Sequence, residues 1–371
     1  MKICVDVQAA VAQGAGVGRY TRMLVEQLAR LADQDELWLF YFDFRRRGLG
    51  FDAPGARCRA LRWVPGRIVQ QLWKRCGWPP FEWLAGRADL YHFPNFIVPP
   101  LTGGRAVVTI HDVSFLRHPE FTEERNLVYL RACLSDTVRR AAAIITDSEF
   151  CVAEIAALLP EAGGKLHCVH PGIGSEFTPP SSAALADWRS RRGLDGPYLL
   201  TVGTLEPRKN FAMLLDVFEN LPEFEGELVL AGRRGWKYAP LLDRIRRSPL
   251  AGRVRVLEDV ADGELPLLYA GAELFVFPSF YEGFGFPPLE AMACGTPVIS
   301  SAGGSLPEVL GEGALVLHDW SAAAWTAAVR DWLRDDSLRR QWAERGRQWA
   351  ARYNWEAAAR ATLRVYHGTQ A

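Results

Sequence analysis

Short apolar runs alternate with longer amphipathic stretches along the first half of the chain. The runs are rich in β-branched and aromatic residues, which favours strands, and they lie at residues 3–7, 38–41, 90–93, 106–110 and 143–146. Strands that alternate with helices are typical of βαβ units, in which the strands are parallel. The first half therefore predicts an α/β domain built on a doubly wound parallel sheet.

The same rhythm restarts after residues 167–180, a stretch whose proline and glycine content cannot sustain a helix or a central strand. Further strands are predicted at 198–202, 227–231, 254–257, 274–278 and 297–300, and from residue 321 onward the periodicity is helical only. We therefore predict an N-terminal domain over residues 1–170, a second α/β domain over 171–350 and a terminal helix, 351–371, that crosses back to the first domain. Parallel sheets bind ligands at the carboxyl ends of their strands, so the chemistry is expected in the loops there, as two half-sites of one cleft.

Composition narrows the class of protein. The 371 residues contain 43 basic and 43 acidic side chains, which argues against the basic surface that nucleic acids require. The seven cysteines never form a Cys-x-x-Cys pair and are interpreted as buried thiols in a reducing compartment. The chain begins with a strand-like run and has no apolar run of about 20 residues, so we expect a cytoplasmic protein, unless it is peripherally attached to a membrane.

Two glutamates flank a glycine-rich turn after the predicted strand 274–278. Glu282 and Glu290 are separated by seven residues, and the Gly-Phe-Gly bend before Pro287-Pro288 predicts a helix start that carries Glu290. Free amides at a helix start attract anions, and carboxylates nearby suit the hydroxyls of sugar and ribose rings. The alternative is structural: one glutamate caps the helix and the other lies on a solvated turn.

Adjacent cations follow the predicted strand 198–202. Gly203 allows a tight turn, and Arg208 and Lys209 come shortly after it. An arginine fork and a lysine point charge at the carboxyl end of a strand can bind a pyrophosphate. Taken alone, the pair could equally be surface charges in a loop.

The first half offers two weaker signals. Residues 14–20 are glycine-rich, with Gly16, Val17 and Gly18 opening a helix, but they lack the spacing of a dinucleotide-binding loop and could form a plain turn. His111 follows the predicted strand 106–110, where ligands are expected, although a histidine at a strand end is often only a structural residue.

Together these motifs resemble the retaining glycosyltransferases of family four. The resemblance covers essentially the whole chain, and it implies a GT-B fold, in which two Rossmann-like domains face each other across a cleft and a C-terminal helix packs back across both. It implies that Glu282 contacts the donor sugar, Glu290 binds the ribose, and Arg208 and Lys209 stabilise the departing nucleotide diphosphate. His111 is then expected near the transferred sugar, and the loop of Gly16, Val17 and Gly18 near the phosphates and the acceptor. The remaining implied donor contacts are Gly203, Gly283, Phe284, Gly285, Phe286 and Leu289.

The resemblance also implies a metal-independent reaction without a cofactor, with a nucleotide-diphosphate sugar as co-substrate. Residues 111–119 and 282–290 look most like mannosyltransferases of bacterial surface polysaccharides or lipopolysaccharide, which points to GDP-mannose. Rhamnosyl, glucosyl and galactosyl transfer, or a sugar-nucleotide epimerase on the same scaffold, remain alternatives. The one Asp-x-Asp sequence, Asp33-Gln34-Asp35, is interpreted as a solvated turn and not as a metal site.

A basic and aromatic segment, residues 45–87, has few acidic residues. Cations beside tryptophans suit an anionic membrane surface, and related enzymes that extend lipid-linked glycans attach in this way. The segment could equally be a solvated part of an α/β domain, because arginine stems and tryptophans also pack ordinary surfaces. Its cations are Arg45, Arg46, Arg47, Arg57, Arg59, Arg62, Arg67, Lys74, Arg75 and Arg87, and its tryptophans are Trp63, Trp73, Trp78 and Trp83.

Overall fold

The computed structural model describes residues 1–14, 16–32 and 34–369, without the side chains of residues 125 and 126. The chain forms two compact units. Unit one comprises Met1–Leu116, Glu124–Gly172 and the chain from Asn354 onward, and unit two comprises Arg117–Glu123 and Ile173–Tyr353. The boundaries drawn from the sequence lay at 170/171 and 350/351.

Unit one is built on a parallel sheet of seven strands in the order β3-β2-β1-β4-β5-β6-β7. The strands are β1 Lys2–Asp6, β2 Glu36–Phe42, β3 Arg57–Leu61, β4 Leu90–Phe93, β5 Arg105–Thr109, β6 Ala141–Thr146 and β7 Leu166–Cys168. Its helices before the linker are α1 Gln8–Ala12, α2 Val17–Leu31, α3 Gly66–Cys76, α4 Phe81–Ala85, α5 Ser114–Arg117, α6 Glu124–Arg140 and α7 Glu149–Leu158, of which α5 ends at the first residue of unit two.

Unit two is built on a parallel sheet of six strands in the order β10-β9-β8-β11-β12-β13. The strands are β8 Tyr198–Val202, β9 Glu227–Ala231, β10 Val254–Leu257, β11 Leu274–Phe277, β12 Val298–Ser301 and β13 Leu315–Leu317. The helices are α8 Ser182–Arg192, α9 Phe211–Glu219, α10 Ala239–Arg247, α11 Leu265–Ala270, α12 Phe286–Ala293, α13 Leu306–Leu310, α14 Ala322–Arg334 and α15 Asp336–Ala350.

The central strands explain why the fold could be predicted. All four residues of β11 are fully buried, as are the first three of β8, because helices cover both faces of a doubly wound sheet. Such strands are continuous apolar runs with no polar alternation. The predicted pair of doubly wound parallel sheets is confirmed, and the three strands that the sequence did not predict, β3, β7 and β13, all lie at sheet edges.

The helices that end the chain pack in both units. In unit two, α14 packs on α9 and α15 on α12, while the last helix, α16 Trp355–Gly368, packs along α2 in unit one. Tyr366 of α16 is fully buried, and its hydroxyl is hydrogen-bonded to Nδ1 of His92 at 2.6 Å. The other ring nitrogen of His92 lies 2.9 Å from Oγ1 of Thr109, so α16 contributes a polar group to the core of unit one.

Residues 117–123 belong to unit two, although the sequence placed them within the N-terminal domain. Phe121 stacks on Phe280 with ring centroids 5.5 Å apart. The indole of Trp236 donates to the carbonyl of Phe121, and Nζ of Lys237 donates to the carbonyl of Glu120 at 2.6 Å. These contacts tie the segment to the loops of the second sheet.

Some expectations about the surface and the acidic turn are wrong. Cys58 and Cys76 are exposed thiols, whereas the sequence analysis expected buried ones. Asp33 lies outside the described residues, and the Asp35 carboxylate is only 6% exposed and lies 2.9 Å from Nε2 of His367, so it is not solvated. Within the described residues, no helix is both long and apolar enough to cross a membrane.

Candidate active site

Glu282 is the centre of a buried charge cluster in unit two. Its Oε1 accepts hydrogen bonds from Nζ of Lys209 at 2.6 Å and from the hydroxyl of Ser279 at 2.5 Å, and its Oε2 accepts one from Nη1 of Arg208 at 3.0 Å. The other side of the Arg208 guanidinium donates to Oε1 of Glu206 at 2.8 and 3.1 Å. Two acids and two bases therefore neutralise one another, which a buried set of charges requires.

Sheet topology brings these residues together. The strands β8 and β11 are adjacent and parallel, so the loops after them meet at one edge of the sheet. The amide of Phe280 donates to the carbonyl of Arg208 at 2.8 Å, which joins the two loops. Gly203 lies against the Lys209 side chain, and a Cβ at residue 203 would lie 3.4 Å from Cε of Lys209. The turn after β8 thus lies in packing distance of the lysine side chain.

The cluster shifts the ionisation of its members. Burial alone would raise the pKa of Glu282, but the charges of Arg208 and Lys209, with the hydrogen bonds of Lys209 and Ser279, lower it to about 2. Burial and the neighbouring guanidinium of Arg208 lower the pKa of Lys209. Burial raises the pKa of Glu206. Glu282 is therefore a firmly ionised carboxylate and cannot donate a proton near neutral pH.

The second glutamate of the pair lies on α12. Gly285 precedes this helix with φ of 104°, a conformation that glycine adopts at low cost, and the side chain of Glu290 accepts a hydrogen bond from the hydroxyl of Tyr269 at 2.8 Å. Glu290 is 2% exposed. Leu289 beside it is fully buried in the hydrophobic core, so its side chain serves packing. The sequence interpretation of a glycine turn leading into a helix is matched by the backbone here.

His111 lies at the carboxyl edge of the first sheet. Its Nδ1 is 2.7 Å from Oδ2 of Asp147, and its Nε2 is 3.0 Å from the carbonyl oxygen of Pro94. These residues follow β5, β6 and β4, three neighbouring parallel strands. Burial alone would lower the pKa of His111, but the charge and hydrogen bond of Asp147 raise it. The ring of Tyr20 meets His111 edge-on, with centroids 4.7 Å apart.

The glycine loop of unit one is tightly packed. Gly16 precedes α2 with φ of 58°, and Val17 is the first residue of the helix. A Cβ on Gly18 would collide with the carbonyl oxygen of Gln13, so a larger residue would not fit. Ala15 lies outside the described residues. Backbone conformation and tight packing therefore account for these glycines. From the sequence alone, that structural role could not be distinguished from a role in binding.

Several members of the two sites were missed by the sequence analysis. Ser279 and Glu206 complete the Glu282 cluster, and Asp147 completes the His111 site. Gly304, with φ of 67°, packs on the backbone of Glu282, leaving no room for a Cβ. Each of these residues lies shortly after a predicted strand, and that position is the sequence feature by which it could have been identified. None of them belongs to a distinctive motif.

Comparisons with known proteins agree with this architecture. The family model "Glycosyltransferase Family 4" matches residues 14–177, and "Glycosyl transferases group 1" matches residues 185–349. The chain is 33% identical over 369 residues to O-antigen chain mannosyltransferase B of Escherichia coli, with 95% of each chain covered.

Solved structures share the fold along the whole chain. Sucrose-phosphate synthase of Thermosynechococcus elongatus superposes with a TM-score of 0.77 at 21% identity, covering 99% of this chain and 98% of that one. Anabaena Alr3699/HepE, solved in complex with UDP and glucose, gives a TM-score of 0.73 at 18% identity and covers 99% of this chain and 100% of its own. Both likenesses concern the fold.

Proposed function

Because the chain belongs to glycosyltransferase family 4 and has the GT-B fold, we propose that it transfers mannose from GDP-mannose to a hydroxyl of a bacterial surface polysaccharide. The identity with an O-antigen mannosyltransferase over nearly the full length of both chains supports the sugar and the acceptor class. The buried cluster around Glu282 supports the position of the donor. It places two cations at the carboxyl edge of a doubly wound sheet, where such sheets bind nucleotides.

In the proposed reaction, Arg208 and Lys209 stabilise the leaving diphosphate. Negative charge grows on the leaving group as the glycosidic bond breaks, and cations that are already fixed favour that state. Glu282 holds both cations before the donor arrives. Glu290, fixed by Tyr269, accepts hydrogen bonds from the ribose hydroxyls, and the turn at Gly283, Phe284, Gly285 and Phe286 contacts the sugar and the phosphates.

We propose a retaining transfer without a metal ion. The ionised Glu282 is engaged with two cations and a hydroxyl, so it is a poor candidate for a nucleophile. Same-face displacement, in which the leaving phosphate takes the proton of the acceptor hydroxyl, needs no protein nucleophile. The cations of the cluster supply the charge that a metal ion supplies in other transferases.

A donor panel tests the proposal. Purified protein in EDTA is offered GDP-mannose, UDP-glucose, UDP-galactose and dTDP-rhamnose, and thermal shift and nucleotide release are measured with the wild type and Glu290→Gln. We expect a selective shift with GDP-mannose that is lost in the variant, and, once a mannose-containing glycan acceptor is added, an α-linked product by NMR. Glu312→Gln is the matched control, because Glu312 is 83% exposed.

Other outcomes separate the alternatives. A shift with a different donor alone would replace mannose by that sugar, and conversion of the donor to an isomer without any acceptor would favour an epimerase. Activity that EDTA abolishes and magnesium restores would overturn the metal-independent reaction. No shift with any donor would contradict the assignment of the Glu282 cluster as a donor site.

We also propose that unit one docks on an anionic membrane through the basic and aromatic segment, residues 45–87. Trp63 is 72% exposed, Trp83 63% and Trp78 53%, and α3 buries only Val69 while it carries Arg67, Lys74 and Arg75. Aromatic rings beside cations favour the interface of anionic lipids. Other members of the segment have structural roles: Arg57 pairs with Glu36, Arg62 with Asp43, and the Trp73 indole donates to the carbonyl of Pro79.

Vesicle binding tests this surface. The wild type should sediment with phosphatidylglycerol vesicles and remain free of phosphatidylcholine vesicles, and the double variant Trp63→Ala/Trp83→Ala should bind on the order of tenfold more weakly. Trp320→Ala is the matched control, because Trp320 is an exposed tryptophan of unit two. Equal binding of the wild type and the double variant would contradict the proposal.

A further inference from the structure

The two ring nitrogens of His111 both face hydrogen-bond acceptors. Nε2 lies 3.0 Å from the carbonyl oxygen of Pro94, and a carbonyl oxygen has no proton to give, so Nε2 must carry hydrogen. Nδ1 lies 2.7 Å from Oδ2 of Asp147. That contact needs one more proton, which lies either on the imidazole or on the carboxyl group. The pair therefore holds two protons in either form.

The surroundings favour the proton on the imidazole. A carboxyl group is intrinsically a much stronger acid than an imidazolium, so their contact resolves into an ion pair unless burial outweighs the attraction. The imidazole is 14% exposed, so it is not wholly removed from water.

We propose that Asp147 is a positioning residue that keeps His111 as an imidazolium, so that His111 presents a fixed positive charge and does not act as a base. The charge effect of Asp147 raises the pKa of His111 despite burial, in agreement with the geometry. For the proposed transfer, on which this functional reading rests, the acceptor proton then goes to the leaving phosphate and not to His111.

The groups that face His111 come from several elements. Asp147 follows β6, Asp112 is the next residue in the chain, Tyr20 comes from α2, and the thiol of Cys151 on α7 donates to the carbonyl of His111 at 3.4 Å. The other nearby histidine is His92 on β4. Burial, and then the charge of His111, lowers the pKa of His92 to about 3, so His92 stays neutral. Asp147 is the anion in direct contact.

Protonation can be read without any turnover. Two-dimensional ¹H–¹⁵N NMR of the histidine side chains, with His111 assigned from the spectrum of His111→Gln, distinguishes an imidazolium from each neutral tautomer. We expect both nitrogens of wild-type His111 to be protonated at pH 7. In Asp147→Asn the titration midpoint of His111 should move to lower pH, because the opposite charge is gone. Asp136→Asn is the matched control, since Asp136 is a half-exposed partner of Arg139 in the same unit.

Activity supplies the second readout. The fall of kcat/KM on the alkaline side should move to lower pH in Asp147→Asn, with a loss of roughly tenfold or more at pH 8, recovery at lower pH, and rescue by Asp147→Glu. A wild-type spectrum with one unprotonated nitrogen on His111 at pH 7 would overturn the proposal, even if the variant failed to fold. If His111 is an imidazolium but the protein transfers no sugar, the proposed function is wrong while the role of Asp147 stands.

Discussion

The carboxyl edges of the two sheets balance buried charge in different ways. In unit one, His111 and Asp147 form a single pair that depends on one imidazole proton, and Asp147 raises the pKa at which that proton is lost. In unit two, Glu282 and Glu206 share Arg208 and Lys209, and a guanidinium stays charged throughout the physiological range. The charge at the first edge therefore depends on one imidazole proton, while the second edge contains a guanidinium and a carboxylate, Arg208 and Glu282, that both stay charged near neutral pH.

Removing one member of the larger cluster should have the largest effect. In Lys209→Met, Glu282 loses its 2.6 Å partner but remains buried, so the free energy of unfolding should fall by about 3 kcal/mol. The variant also lacks one cation that stabilises the leaving diphosphate, so the rate of nucleotide release should fall by about 10²–10³-fold. Urea unfolding and a donor-turnover assay measure the two losses separately.

A second variant sharpens that result. The double variant Lys209→Met/Glu282→Gln removes the uncompensated charge, so it should recover most of the stability and none of the activity. In the exposed pair of Arg360 and Glu356, which lie 2.8 Å apart, Arg360→Met should leave stability unchanged within error. Wild-type stability of Lys209→Met would show that Glu282 does not depend on the lysine.

Buried strands and edge strands also differ in how well the sequence predicts them. The buried strands of both sheets are continuous apolar runs, and they were predicted within a few residues. The edge strand β3 was not, because it contains Arg57 and Arg59 and only Leu61 is buried. Strand β7 has only three residues, Leu166–Cys168, and runs into the stretch 167–180 that was predicted to be a linker. An edge strand pairs on one side only, so its sequence carries a weaker pattern.

The site residues divide in the same way. Glu282, Arg208 and Lys209 lie in a motif dense enough to be recognised, and the structure brings them into direct contact. Asp147 could not be predicted as the partner of His111, because the two are 36 residues apart and meet only through the pairing of β5 with β6. Long-range partners of this kind depend on strand order, which a single sequence does not state.

Removing one tyrosine hydroxyl from each unit should have a smaller effect than Lys209→Met. In unit one the loss should lower stability, and in unit two it should lower affinity for the sugar donor. Tyr366→Phe leaves Nδ1 of His92 buried without its hydrogen-bond partner, so the free energy of unfolding should fall by about 1–3 kcal/mol while affinity for the sugar donor is unchanged. Tyr269→Phe removes one hydrogen bond to Glu290 and should weaken binding of the sugar donor. Urea unfolding and thermal shift with GDP-mannose measure the two. Equal losses of donor affinity in both variants would remove the distinction between a structural and a functional tyrosine.

The smallest expected effect is a difference in pH dependence, since it involves one proton. The pKa of His111 is raised above its ordinary 6.5, so its stabilisation is complete below that value and is lost as pH rises through the folded pKa, by about 1.4 kcal/mol for each pKa unit of the shift. The pKa of Glu282 is lowered from 4.5 to about 2, so its stabilisation is complete above pH 4.5 and is lost only as pH falls toward 2.

As pH rises from 6.5 through the folded pKa of His111, unit one should therefore lose stability from its edge pair, while Glu282 stays ionised and contributes no change. Hydrogen exchange, corrected for the intrinsic rate at each pH, can follow the two units separately through peptides from β6 and β11. In Asp147→Asn the added pH dependence of β6 should disappear and that of β11 should stay flat. If β11 lost protection over the same range and β6 did not, the fixed charges would lie in unit one, and the contrast between the two edges would be reversed.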